Sequence, residues 1–110
     1  MIQETITQIE ERIKNAKPLN EEKKMELLGL LSTLKTEVSE LSKTHAEHTQ
    51  SITGFTEVSI HEAMRKEKNP KLLKLSLQAL SASVEGFESS HPKLVGIVNS
   101  ISLTLSNIGI

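Results

Sequence analysis

The chain has 110 residues, with 13 Lys or Arg against 14 acidic residues and a formal net charge of −1. That is the size of one ordinary domain, which excludes a multidomain enzyme and removes any general electrostatic pull toward nucleic acid or an anionic membrane. Hydrophobic residues make up 36%, and Leu, Ile, Val and Phe alone exceed the ~20% typical of disordered chains, so the sequence is expected to fold.

Several residue types are missing altogether. The chain contains no Cys, Trp, Tyr or Asp. Disulfides and thiolate chemistry are therefore excluded, and the EF-hand loop, the Walker-B carboxylate and the usual serine triad cannot be built in their normal forms. Phe55 and Phe87 are the sole aromatics, too few for a base-stacking platform, so no nucleic-acid partner is expected. Residues 1–14 carry charge at every turn and lack the apolar stretch of a signal peptide. No run approaches ~18 uninterrupted apolar residues. A soluble cytoplasmic protein without a membrane span is the expectation.

In chain order, Ile2, Ile6, Ile9 and Ile13 recur at steps of four and three, which predicts a first helix over about residues 2–16. Lys17 and Pro18 end it. Asn20 reads as the N-cap of a second helix, with Glu21 and Glu22 placing negative charge at its positive end. The short connection makes these two helices antiparallel neighbours.

The second helix is predicted over about residues 20–66. Its stripe is Leu27, Leu31, Leu34, Val38, Leu41, His45, His48, Ile52 and Phe55, alternating fours and threes. The stripe changes from leucine to histidine halfway along. Gly54 and its β-branched neighbours lower helix propensity, so residues 49–56 are the expected place for any break. Continuity is nevertheless favoured, because Val58, Ala63 and Met64 keep a helical spacing. The polar residues 66–69 and then Pro70 form the strongest stop-and-restart signal in the chain.

A third helix is predicted over about residues 70–108, on the stripe Leu73, Leu77, Leu80, Val84, Phe87, His91, Leu94, Val98, Ile101, Leu105 and Ile108. Pro92 interrupts its hydrogen bonding. Because the phase never slips, one long helix kinked at Pro92 is expected, with no reversal there.

The fold class expected for residues 1–110 is thus all-α and single-domain. Two long coiled-coil-like helices form an antiparallel hairpin turning at Asn69 and Pro70. Leu31 then faces Ile108, Leu41 faces Val98, His48 faces His91 and Ile52 faces Phe87; a slightly shifted register pairs His45 with His91. The first helix covers residues 25–35 and the last turns of the third, making a three-helix bundle at the end holding both termini. The uncharged residues 94–110 are buried there. The other end is a bare two-helix hairpin with little depth. A second apolar stripe, Leu72, Leu75, Ala79, Ala82 and Gly86, points away from the first, and a helix apolar on two sides is packed between partners. A homodimer completing a four-helix arrangement is expected, with Leu72, Leu75, Ala79, Ala82 and Phe55 as its interaction residues.

The element Phe87-Glu88-Ser89-Ser90-His91-Pro92 and the ending Asn107-Ile108-Gly109-Ile110 resemble a family of short bacterial proteins catalogued only as a domain of unknown function, number 4404. Residues 2–14 and the turn Leu19-Asn20-Glu21-Glu22 are similar to that family's N-terminal half, while residues 50–72 look longer than its shorter members have. The resemblance implies a small all-helical bacterial protein and brings no activity, cofactor or catalytic residue.

His45, His48 and His91, with Glu88 beside them, are the nearest approach to a chemical site. Histidines three apart on one helix face can share zinc or nickel. Glu88 and His91 also have the E-x-x-H spacing of di-iron bundles, but the second copy such sites need is missing. A polar layer that sets helix register is the simpler reading. Lys66, Lys68, Lys71 and Lys74 form a basic tip without aromatics, weak grounds for nucleic acid. No serine sits in an activating motif. The functional expectation is a non-enzymatic, cofactor-free, self-associating scaffold or protein-interaction module, which accepts a helical protein partner; the alternative is a His/Glu metal-binding bundle.

Overall fold

Among the described residues there are five helices: α1 (Ile2–Lys14), α2 (Glu21–Leu41), α3 (Ala46–Ala63), α4 (Pro70–Ser83) and α5 (Pro92–Ile108). The computed structural model describes residues 2–15 and 19–108, with side chains from Glu4 onward. No strand occurs among the described residues. The predicted stop at Lys17 and Pro18 and the terminal Gly109 and Ile110 lie outside them.

Ile6, Ile9 and Ile13 of α1 are fully buried, as their spacing requires. Lys35 Nζ donates to Thr7 Oγ1 at 3.0 Å and Lys24 Nζ to the Lys14 carbonyl at 3.4 Å, so α1 and α2 run antiparallel. The other neighbour of α1 differs from expectation. It packs on α2 and α3 and has no contact with α5 among the described residues.

Asn20 caps α2, its Oδ1 accepting the Lys23 N–H at 2.8 Å, and Glu21 and Glu22 fill the first turn. The buried stripe is Leu27, Leu31, Leu34, Val38 and Leu41. The helix then stops, which corrects the expected continuous helix over residues 20–66. The break falls at residues 42–45, ahead of the suspected residues 49–56, and Gly54 sits inside α3. Past Leu41 the stripe passes to His45 and His48, both exposed, so no apolar burial carries the helix onward. Ser42 Oγ donates to the Ser39 carbonyl at 2.8 Å and Thr44 Oγ1 to Leu41 at 3.4 Å, and His45 leaves the helical region at φ −136°, ψ 59°.

The inner face of α3 is largely hydroxylic. Thr49, Thr53 and Thr56 are buried, each donating at 2.7 Å to a carbonyl one turn back on its own chain, at Ala46, Thr49 and Ile52. That satisfies the hydroxyls without a partner helix, so Ile52, Ile60 and Ala63 can pack tightly between them. Glu62, also buried, is held by Arg65 Nη1 at 2.9 Å.

Pro70 restarts the chain as α4, with Asn69 as N-cap accepting the Leu72 N–H at 3.1 Å. Here too one predicted helix is two. The expected kinked helix over residues 70–108 ends at Ser83 and resumes at Pro92. Gly86 at φ +95° turns the chain in a conformation that a side chain would resist, and Glu88 Oε2 accepts its N–H at 2.7 Å. Val84 and Phe87 are buried within this link, which is how the apolar phase continues where the helix does not. Ser106 near the end of α5 lines the same groove as Pro70 and Leu73 at the start of α4, so these helices reverse on each other.

Two helix pairings survive these breaks: α3 lies on α4 and α2 on α5. Their register does not. Thr104 Oγ1 donates to Glu26 Oε1 at 3.0 Å, whereas a register that sets Leu31 opposite Ile108 places the partner of Thr104 beyond Leu31, not before it. Residues 94–108 are covered by α2, α3 and α4, leaving Leu103 exposed. The extents, 37 × 25 × 21 Å, exclude a hairpin of unbroken forty-residue helices, each of which would span about 60 Å.

Candidate functional site

The breaks at residues 42–45 and 84–91 bring the predicted histidines to one end of the molecule. Phe87 is their centre. Its ring meets His45 at 5.4 Å, His48 at 5.3 Å and His91 at 5.6 Å between centroids, all edge-to-face, and His45 lies 6.0 Å from His48 and 6.4 Å from His91. His45 and His91 are thus neighbours, as one of the two expected pairings had them, although both stand at breaks between helices and neither expected helix register is kept. Thr44 Oγ1 lies 2.7 Å from His45 Nδ1 and Ser90 Oγ lies 2.9 Å from His91 Nδ1. The His45 and His91 imidazoles are therefore each turned to a chain neighbour on one side and to the Phe87 ring on the other. Glu88, the fourth candidate, accepts the Gly86 N–H. Among the described residues no three His or Glu side chains converge on a point where a metal ion would sit. The ring contacts join His45 and His48, at the α2–α3 break and the start of α3, to Phe87 and His91 of the α4–α5 link.

The five predicted interaction residues fall together on another surface. Phe55 on α3 and Ala79 and Ala82 on α4 line one hollow of about 390 Å³, with His48, Ser51, Ser83 and Glu85 around them. Leu72 and Leu75 stand seven residues before Ala79 and Ala82 and continue the same face of α4. Phe55 is 38% exposed, Leu72 43% and Leu75 50%. Val58, one turn beyond Phe55 and 46% exposed, belongs to the same seam. It was named only as a helical spacer in the sequence, though its i, i+3 relation to Phe55 is the signal that places it there. Gly86, the fifth member of the predicted second stripe, lies outside α4 in the turn.

A second, deeper groove runs along the other flank of α4, between it and α5. It was not foreseen. It measures about 930 Å³ and is lined by Leu73, Leu77, Pro70, Lys68, Lys74 and Ser106 among others. The basic tip read in the sequence supplies its mouth, with Lys68 Nζ also donating to the Ala63 carbonyl. No helix among the described residues is long and apolar enough to cross a membrane.

A family model described as Domain of unknown function (DUF4404) matches residues 27–110. The match includes the Phe87–Pro92 element and begins after α1 and the turn at residues 19–22. No curated protein and no solved structure matches the chain.

Proposed function

Because the chain belongs to the DUF4404 family, whose description assigns no activity, we propose a function from the surface itself: a non-enzymatic, self-associating helical module that pairs through the α3–α4 seam. One observation carries the reading. Phe55, Val58, Leu72 and Leu75 are each at least 38% exposed and lie along one face of two adjacent helices. Large apolar side chains scattered singly need no explanation, but a contiguous row does. Ala79 and Ala82 at the end of the row let a facing helix approach closely, and a seam built from two antiparallel helices is self-complementary across a two-fold axis. A second copy laid on it forms a four-helix layer, with Phe55 and Leu75 as the central anchors.

The test is solution mass by light scattering near neutral pH. The wild-type chain is expected at twice its 12.2 kDa, and Leu75→Glu at the mass of one chain with unchanged helical circular dichroism. A wild-type monomer at high concentration overturns the reading. So does a dimer indifferent to glutamate at both Leu72 and Leu75.

A further inference from the structure

The groove between α4 and α5 lies on another flank of α4 from Leu72 and Leu75 and shares Glu85, at its far end, with the hollow beside the seam. Its volume of about 930 Å³ falls in the range of about 300–1,000 Å³ usual for small-molecule sites. Leu73 and Leu77 form an apolar floor beside Pro70, while Gln78 and Ser81 from α4 and Ser106 from α5 stand at the sides. The two ends differ in charge: Lys68 and Lys74 at one, Glu85 at the other. No described carboxylate is within ion-pair distance of Lys74.

An apolar floor and an uncompensated ammonium at one end define a ligand with an anionic head and an aliphatic chain. We infer that this groove binds a single-chain amphiphilic carboxylate of the fatty-acid class. The head sits against Lys74 and Lys68, where ammonium-to-carboxylate hydrogen bonds are charge-assisted. The chain lies over Leu73 and Leu77 toward Ser81. Lys74 to Ser81 spans about 10 Å along the helix, so the floor suits a chain of about eight to ten carbons, and Glu85 bars a second anionic group beyond it.

Titration of the isotope-labelled full chain with decanoate, below its micelle-forming concentration, tests this by amide chemical shifts. Saturable shifts are expected at Leu73, Leu77 and Ser106. Lys74→Glu is expected to weaken binding by about tenfold, Lys74→Arg to retain it, and Lys43→Glu, in the α2–α3 link away from the groove, to change it by less than about twofold. Acetate, without a chain, and decyltrimethylammonium, with the opposite charge, are expected to bind at least about tenfold more weakly. Equal affinity for the cationic amphiphile, indifference to Lys74→Glu, or shifts confined to Phe55 and Leu75 overturn the assignment. Repeating the titration on Leu75→Glu separates it from the association reading, since loss of the dimer leaves this groove intact.

Discussion

Two glycines show how far single residues could be read. Gly54 drew attention as the place where a long helix would fail, yet α3 runs straight through it, with open space where a Cβ would project. Gly86 was read as part of an apolar face and is the residue that turns the chain, at φ +95°. Composition cannot tell these cases apart, because glycine lowers helix propensity and permits positive φ at once. Substitution by alanine distinguishes them. Gly54→Ala is expected to stabilise the chain by about 0.5–1 kcal/mol through helix propensity, as nothing obstructs the added methyl group. Gly86→Ala also has room but forces a side chain into the left-handed region, at a cost of about 1–2 kcal/mol. Urea unfolding midpoints moving in opposite directions would bear this out; a shift of the same sign in both would not.

At the scale of elements, apolar periodicity was a faithful record of burial and a poor record of continuity. Leu73, Leu80, Val84, Phe87, Leu94, Val98, Ile101 and Leu105 are all buried as the stripe demands, although Val84 and Phe87 belong to a link rather than a helix. A stripe persists across a break whenever the link itself plugs the core. The break after Leu41 was harder still, lacking Gly or Pro, and its one trace was the change from leucine to histidine. The hydroxyl face of α3 was missed because Thr49, Thr53 and Thr56 look polar until their own backbone carbonyls are counted as partners. Helix starts were the most legible feature. Asn20 was read as a cap directly, and Asn69 performs the same task beside Pro70. Replacing either by alanine is expected to cost about 1 kcal/mol, while Asn20→Asp or Asn69→Asp should restore most of it. Thermal unfolding of the four variants checks this, and a neutral Asn69→Ala would mean that Pro70 alone sets the start of α4.

For the whole molecule, the expected hairpin with one bare end is replaced by a chain that covers much of its own core. Turning back at residues 42–45 places α3 against α1 as well as α4. That gives α1 a larger role than a short flanking helix would have. It lies outside the stretch matched by the family model, residues 27–110, yet Ile6, Ile9 and Ile13 are fully buried at the junction of α2 and α3. Each isoleucine contributes the transfer energy of its side chain plus the close contacts around it, so Ile9→Ala is expected to cost about 2–5 kcal/mol. A domain of this size has only about 5–15 kcal/mol in total. One such cavity therefore removes a large share of its stability, and deleting residues 1–15 should leave residues 16–110 unable to hold a single packed state. The expected signs are retained helical circular dichroism with lost cooperativity in urea and new binding of a hydrophobic dye. A truncated chain that still unfolds in one sharp transition, at an unchanged midpoint, would show that α1 is an accessory to the core rather than part of it.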